Sequence, residues 1–538
     1  MDRNEIVTNP LQHGNNFFSE IRYDAEGETE MKRIVILCLA LALLAGCQPT
    51  PEEDAVKQKD TNVLIDTVRQ EEQKQEQQGE AEATFPPVKE QFPERFQCDF
   101  TTSAKNVHVI ADVPLEVLTD GTFPTLRVER RILTDRERMT VAQRVFGTDA
   151  LYVFQEQITR EQLEEMIRVY MHEPTPDEKA AWMRDIGGSE EEWQRKEERR
   201  KETLQDLQRQ YNALPDDDTP VPLLRWDGTL SPLEGNERRC FELVTDPTPG
   251  EGLYQRNHLT VYSDDVDRPM DYCVAWRNDR DVTWAGFFDG SHKFGAERID
   301  PKDYDTPHEG ASVTPNDAIK LVRDLFDGVA DLIPADVYWA NNAATDGEDV
   351  GVNSNTRWAY FIHFSQNFNG ASAPYCSGLA FERNEDAGYA SLWFYETLMA
   401  AVDREGNLIC FDWFAPLKVT DTIAMSTPLL PYEEIQKIFE AQMNRKFAYD
   451  DAEHGTVLVD RVQLGLFRIR EQNDMEHGLM VPVWFFTGVF AYSDAAEAER
   501  LKEGFGPEQA KRDYKDEQNP LLIINAIDGS IIDPMKGY

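Results

Sequence analysis

The sequence predicts an α+β fold with a β-rich N-terminal domain (93–300), a helical insertion within it (159–214) and two tandem helix-plus-antiparallel-sheet modules (312–425 and 428–538). Three observations predict it. Short segments rich in β-branched and aromatic residues alternate with turn clusters, which is typical of strands. The insertion has the apolar spacing of helices and a mixed charge run. The last third of the chain repeats one helix followed by strands, with a period of about 115 residues.

Within the β-rich domain, the predicted strands are 106–111, 125–132, 259–262, 272–276 and 282–288. The insertion is predicted as two helical pieces separated by prolines. In the first piece, Thr159 and Gln162 resemble a capping box. In the second piece, 176–214, the apolar contact side is predicted to consist of Trp182, Trp193, Leu204 and Leu207. Its charge run predicts a solvated face and not a binding stripe.

Each C-terminal module is predicted to start with a helix and to end with a hairpin. The first contains helix 314–329, strands 358–364 and 390–395, and hairpin 399–412. The second contains helix 431–440, strands 462–470 and 480–486, and closing segment 523–533. Thr314-Pro315 starts the first helix, because proline is favoured in the first helical turn. The run Trp484-Phe485-Phe486 places apolar neighbours on opposite faces of a strand, so that sheet is either covered on both sides or exposes a binding surface.

The segment 31–47 has the order of a bacterial export signal. Lys32 and Arg33 precede the apolar stretch 34–44, which is too short for a permanent span of about 20 residues. The following Leu44-Ala45-Gly46-Cys47 resembles the lipobox of bacterial lipoproteins. That resemblance implies a signal peptide at 31–46, cleavage before Cys47 and a diacylglycerol on its sulfur, with the protein on the extracytoplasmic face of the cell membrane. The alternative is an uncleaved anchor or a buried helix.

The segments on either side of the signal are polar. Residues 1–30 are predicted to be a leader before a true start at Met31, the alternative being a genuine N-terminal extension. Residues 47–92 predict an acidic tether with one short helix around Val63, Leu64, Ile65 and Val68.

The net charge of −44 excludes nucleic acid and anionic membrane surfaces as partners beyond the lipid anchor, because both would be repelled. Of the seven cysteines, five remain after the signal and the lipid site: Cys98, Cys240, Cys273, Cys376 and Cys410. Cys240 with Cys273 and Cys376 with Cys410 are plausible disulfides, but single buried thiols are equally consistent with the spacing.

Common enzyme motifs are absent from the sequence: it has no G-x-S-x-G, HExxH, P-loop or G-x-G-x-x-G. His363 with Cys376 would suit a nucleophile pair, yet the alternating strand around His363 favours a structural histidine. No catalytic residue and no cofactor is predicted. The weak metal candidates are Asp346, Glu348 and Asp349, in a loop that lacks the twelfth-position glutamate of an EF-hand. Asp264, Asp265 and Asp267 are interpreted in the same way, as a solvated loop.

The repeated C-terminal unit resembles the PepSY-type modules of exported bacterial proteins, through its helix, its strands and the sequence N-A-I-D-G-S-I-I-D at 525–533. The segments 464–470 and 478–484 also resemble uncharacterised surface lipoproteins of Firmicutes. The PepSY resemblance implies binding or regulation of an exported protein or peptide at the cell surface, for which strand addition at a sheet edge is one route. The alternative is a hydrolase of wall glycan or peptide, which needs two carboxylates or a polar triad in one cleft. A solute-capture protein would need two α/β lobes, which the strand-rich pattern argues against.

Overall fold

The computed structural model describes residues 61–77, 87–148, 150–154, 160–186, 189–214, 223–226, 240–245, 257–262, 272–278, 297–341, 358–375, 383–384, 389–390, 395–448, 454–471, 477–502, 510–513, 520–534 and 537. The chain divides into two compact units, Met1–Ala55 and Val56–Tyr538, and every described residue belongs to the second. The mixed α+β fold class predicted from the sequence is confirmed.

Two large sheets form the framework. The strands of the first sheet are β1 (Arg95–Thr101), β2 (Val107–Val117), β3 (Thr125–Arg130), β16 (Leu417–Ala424), β17 (Gly455–Arg470), β18 (His477–Tyr492), β19 (Arg512–Asp513) and β20 (Leu522–Asn525). Their order is β1-β2-β17-β18-β3-β16, and β19 and β20 also pair with β18. The pairing of β2 with β17 is parallel, whereas the other pairings in this sheet are antiparallel.

The strands of the second sheet are β4 (Tyr152–Val153), β5 (Leu224–Arg225), β6 (Cys240–Val244), β7 (Asn257–Tyr262), β8 (Tyr272–Asn278), β9 (Glu297–Arg298), β10 (Leu332–Asn341), β11 (Trp358–Gln366), β14 (Thr397–Asp403) and β15 (Leu408–Phe414). They run in the order β5-β4-β6-β7-β8-β15-β14-β11-β10-β9, with every neighbouring pair antiparallel. A separate pair consists of β12 (Arg383–Asn384) and β13 (Tyr389–Ala390).

The described helices are α1 (Thr61–Gln77), α2 (Val88–Gln91), α3 (Asp135–Phe146), α4 (Arg160–Met171), α5 (Pro176–Ile186), α6 (Glu190–Ala213), α7 (Pro315–Phe326), α8 (Tyr432–Lys446) and α9 (Asp494–Lys502), together with one 3₁₀ turn, Pro301–Asp303. Side-chain caps fix several starts. Thr134, Ser189 and Thr314 each form a capping box, at α3, α6 and α7 respectively. These caps satisfy backbone N–H groups that would otherwise lack a partner.

The first sheet is covered on both faces. Trp484 and Phe486 of β18 pack with Phe439 of α8 on one side. Phe485, on the other side, belongs to a core that includes Leu64 of α1. The apolar runs of β17 and β18 are therefore explained by coverage from two sides and not by an exposed binding surface.

Helix α1 lies within the segment expected to be a tether. Its residues Leu64, Ile65 and Val68 are buried against the first sheet. The predicted short helix is thus present, and this part of the segment packs on the folded core because the sheet offers it an apolar face.

Sheet pairing crosses the limits expected for the domains. β1 to β3, from the β-rich region, pair with β16 to β18 from the C-terminal region, while β8 pairs with β15. The helical insertion lies between β4 and β5, which pair with each other. The insertion therefore projects from the end of the second sheet without interrupting its pairing.

Several elements differ from the sequence prediction. Of the strand expected at 390–395, Ala390 belongs to β13, Tyr395 lies outside any strand, and 391–394 lie outside the described residues. The second helical piece of the insertion consists of two helices, α5 and α6. The strand expected at 282–288 lies outside the described residues.

Candidate functional site

A groove of about 790 Å³ opens between α4, α5 and α6 of the helical insertion. Its floor is mainly apolar, built from Val169, Tyr170, Pro174, Trp182 and Trp193. Clefts of roughly 300–1,000 Å³ with an apolar lining and a few polar groups are typical ligand sites. The insertion therefore has the shape of a binding site.

Contacts between the three helices hold the groove open. Tyr211 of α6 donates a hydrogen bond to Glu164 of α4 at 2.6 Å, and the guanidinium of Arg160 lies 4.6 Å from the centre of the Tyr211 ring. Trp182 of α5 meets Trp193 of α6 edge to face, with ring centroids 5.3 Å apart. Such aromatic and cation–π contacts each stabilise by about 1 kcal/mol, so the walls of the groove are held in place by side chains.

Positive charge lies along one wall. Residues 195–201 contain five arginine or lysine residues and two glutamates, a basic segment in a chain of net charge −44. The Lys196 ammonium is 5.0 Å from the ring centroids of both Trp182 and Trp193. Arg200 is engaged internally, since it donates to the Tyr170 carbonyl and to Glu197. Within the part of the chain that the structure describes, Lys196 and Arg199 have no ion-pair partner.

The carboxylates that line the groove accept hydrogen bonds from neighbouring groups of the same chain. Glu178 accepts hydrogen bonds from the backbone N–H and hydroxyl of Thr175 and contacts His172, and these hydrogen bonds lower the pKa of Glu178. Capping by Ser189 lowers the pKa of Glu192 in the same way. Both carboxylates are therefore ionised at neutral pH and are held by local hydrogen bonds.

A second polar site lies at the junction of the two sheets. Glu396 borders a cavity of about 50 Å³. One oxygen of Glu396 accepts hydrogen bonds from Gln366 Nε2 at 2.6 Å, Trp413 Nε1 at 3.0 Å and the Leu417 backbone N–H at 3.3 Å. Burial outweighs these hydrogen bonds and raises the pKa of Glu396 to about 7.

Glu396 also marks the crossing between the sheets. Trp413 belongs to β15 of the second sheet and Leu417 to β16 of the first, and Ala415 between them has φ of 44°. A non-glycine residue in this region is strained, and surrounding contacts must hold it there. The hydrogen bond from Leu417 to Glu396 is one such contact.

A cluster of four charges joins the sheets a second time. Arg461 of β17 binds Asp336 of β10 through two hydrogen bonds, of 2.7 and 2.9 Å, and binds Glu116 of β2 at 2.6 Å. Arg298 of β9 bonds to the same two carboxylates, at 2.8 Å for Asp336 and 2.9 Å for Glu116. Although burial opposes it, the two arginines hold the pKa of Asp336 below its usual value. This carboxylate pair is neutralised by two cations and does not supply the protonated acid of a glycosidase.

The residues singled out from the sequence lie mostly outside the described residues. This applies to Cys47, to Asp346, Glu348 and Asp349, to Cys376, and to Asp264, Asp265 and Asp267. His363 is described and is buried on β11, with its ring stacked on Tyr375 at 3.7 Å. This environment agrees with a structural role for His363.

The order of the strands bears on one of the two disulfides that the sequence leaves open. Cys240 lies on β6 and Cys273 on β8, with β7 between them. Two strand spacings separate such residues by roughly 10 Å, beyond the reach of a disulfide. This backbone separation argues against the Cys240–Cys273 pairing, which the sequence left open beside single thiols. Cys98 is a free cysteine, and burial raises the pKa of its thiol to about 11, which makes it a poor nucleophile.

Among the described residues, no group of three His, Cys, Asp or Glu side chains is arranged to hold a metal ion. In the same part of the chain, each helix is too short or too polar to cross a bilayer.

The groove was missed by the sequence analysis, which assigned the charge run to solvent. A signal was present, because two tryptophans and the run RKEERRK fall within twenty residues of each other. The tryptophans and the charged run come together only because α5 packs against α6, and helical periodicity does not predict that packing.

Comparisons with known proteins add little. No family model matches the chain, and no curated protein matches it. Among solved structures, an uncharacterized protein from Eubacterium rectale is similar with a TM-score of 0.42 and 11% identity, covering 82% of this chain and 94% of that one. A similarity this weak carries no functional inference.

Proposed function

We propose that this chain is a lipid-anchored protein of the extracytoplasmic face that binds an exported protein or peptide in the groove of its helical insertion. The lipobox-like sequence ending at Cys47 supports the anchor. The groove between α4, α5 and α6 is the observation that carries the binding function, because it combines an apolar floor with two cations, Lys196 and Arg199, that form no ion pair within the described part of the chain.

Sheet edges are weaker candidates for the binding surface. The second sheet ends in β5 and β9, which are two residues long each. The first sheet ends in β1 and β16, and β16 exposes a run of five residues that includes Lys418 and Asp421. Short or charged edge strands are the usual protection against strand addition.

At the junction of the two sheets, the described carboxylates do not form the pair that a glycosidase uses. The Glu116–Asp336 pair is neutralised, and Glu396 borders its cavity without a second carboxylate in the lining. Glycoside hydrolysis requires two carboxyl groups on either side of the scissile bond. Binding is therefore the better supported function.

The anchor is tested by intact-mass and lipid-labelling analysis of the protein from its natural host. A chain that starts at Cys47 and carries a diacylglycerol is expected. An unmodified chain retaining residues 31–46 would contradict the anchor.

The groove is tested by capture of exported proteins with the mature chain lacking its lipid. Val169, which lines the groove, and Met171, which does not, are 61% and 60% exposed on the same helix. Val169→Trp is expected to block capture of a specific partner, and Met171→Trp is expected to leave it unchanged. Equal capture by both variants would place the binding site elsewhere.

A further inference from the structure

Resting on the binding function above, we propose that the groove takes a short acidic peptide segment with an apolar side chain, whose carboxylates are bound by Lys196 and Arg199. The apolar side chain would lie against Val169, Tyr170 and Trp182, a part of the apolar lining that is not buried. The proposal therefore assigns one chemical partner to each part of the groove.

Arg199 is the stronger determinant of charge. Its Nε donates to the carbonyl of Arg195, at 3.4 Å, and its terminal nitrogens form no hydrogen bond within the described part of the chain. A guanidinium with two parallel N–H groups matches the two oxygens of a carboxylate. Lys196 adds a point charge directly above the tryptophans.

The remaining charges of the groove do not compete for these cations. His172 contacts Glu178 at 3.2 Å, and Glu192 accepts from Ser189 as part of the α6 cap. Both glutamates are therefore held by local partners, and a ligand carboxylate meets Lys196 and Arg199 without displacing an existing ion pair.

The net charge of −44 is compatible with an acidic ligand only if that ligand is short. Screening limits electrostatic interactions to about 8 Å at physiological ionic strength, so a short ligand responds mainly to the charges that line the groove, among them Lys196, Arg199 and Arg200. A long polyanion such as nucleic acid would extend over acidic surface and be repelled.

A carbohydrate ligand fits the ring geometry less well. Stacking of a sugar requires an exposed aromatic face, but Trp193 is only 7% exposed and Lys196 lies over both tryptophan rings. An apolar side chain can instead pack against the ring edges, while its neighbouring carboxylates reach the cations.

The test uses fluorescence anisotropy of labelled hexapeptides with the mature chain lacking its lipid. One peptide combines glutamate with leucine, a second replaces glutamate by glutamine, and a third contains glutamate with serine. The glutamate–leucine peptide is expected to bind most tightly. The glutamine and serine peptides are each expected to bind about tenfold more weakly, and rising salt is expected to weaken only the glutamate peptides.

Matched charge reversals locate the site. Lys196→Glu with Arg199→Glu is expected to weaken binding of the glutamate–leucine peptide by at least about tenfold. The control, Arg195→Glu with Lys201→Glu, makes the same charge change on the same helix outside the groove lining and is expected to change affinity less than about twofold. Circular dichroism of both variants verifies that α6 is intact.

Four outcomes would overturn the proposal. An equal loss in the two double variants would show non-specific attraction. Equal binding of the glutamine–leucine peptide would show an apolar groove without charge recognition, and the proposed binding function would then survive. If no peptide binds but Val169→Trp still blocks partner capture, the acidic-peptide assignment fails alone. If Val169→Trp has no effect on capture, the groove itself is not the binding site.

Discussion

The helical insertion and the junction of the two sheets both place arginine near glutamate, but they use the charges differently. At the junction, Arg461 has a side-chain exposure of 14% and Asp336 of 1%, and each has its full set of partners. On the insertion, Lys196 and Arg199 are exposed and have no ion-pair partner in the described part of the chain. Buried charges that are matched hold the fold together, whereas exposed charges without partners are available to a ligand.

The largest expected loss of stability comes from removing one charge of the cluster that joins the two sheets. Arg461→Met leaves the carboxylates of Asp336 and Glu116 with Arg298 as their shared cation, so one negative charge is uncompensated, and we expect a loss of about 3–5 kcal/mol in the free energy of unfolding. Urea denaturation measures it. The control Arg95→Met removes an exposed pair with Asp112 and should cost less than about 1 kcal/mol. Similar losses in the two variants would show that the cluster does not join the sheets.

The next effect depends on pH. The pKa of Glu396 is about 7 in the folded protein, above its ordinary value of 4.5. A carboxyl group whose pKa is raised by folding contributes stability at low pH that is lost as pH rises from about 4.5 to 7, here by about 3 kcal/mol. Glu396→Gln should remove this slope. Asp336, whose pKa is lowered, also contributes to the free energy of unfolding, and this contribution is lost only as pH falls below about 3.8. The pH ranges in which Glu396 and Asp336 act are therefore separate. A Glu396→Gln protein with the wild-type slope would contradict the assignment.

A smaller loss of stability is expected when the same type of helix cap is removed in the insertion and at the second sheet. Ser189 caps α6 of the insertion, and Thr134 caps α3, which packs Val141 and Ala142 into the core of the second sheet. Ser189→Ala and Thr134→Ala should each cost about 1 kcal/mol. We expect the first loss to appear only as faster hydrogen exchange within 189–214, and the second as a lower global stability. A global loss from Ser189→Ala would show that the insertion unfolds together with the sheets.

The smallest expected change is a gain in stability. Ala415→Gly relieves positive φ at the crossing between the sheets and should stabilise the protein by about 0.5 kcal/mol. Asn369→Gly, at φ of 56°, should gain less, because asparagine tolerates this conformation. Thermal unfolding of both variants makes the comparison. A loss in Ala415→Gly would show that the alanine methyl packs more favourably than its backbone is strained.

The sequence could predict elements whose signals are local. Thr314 and Pro315 start α7 as expected, and of the two alternatives left open by the apolar run Trp484-Phe485-Phe486 the structure has the sheet covered on both sides. In contrast, β10 was missed because Pro334 and Asp336 are unfavourable in a strand. The register shifts between these two residues, and Asp336 is tolerated because Arg461 reaches it from a distant strand.

The candidate site was less predictable than the fold. Trp182 and Trp193 were correctly expected on the contact side, and Trp193 is buried. The role of Lys196 and Arg199 depends on which neighbouring glutamates find other partners. Helical spacing cannot resolve this competition, since Glu197 pairs with Arg200 and Glu192 caps its own helix.

The parallel pairing of β2 with β17 also determines when the protein can fold. Val109 pairs with Val457, so one half of this ladder is synthesised long before the other. Contacts between residues so distant in sequence slow folding and leave apolar strands without partners in the meantime. A chain that emerges N-terminus first therefore leaves Val107 and Val109 without their β17 partners until Gly455 and Val457 have been synthesised. Any truncation before Gly455 would leave that exposed state permanent and prone to aggregation.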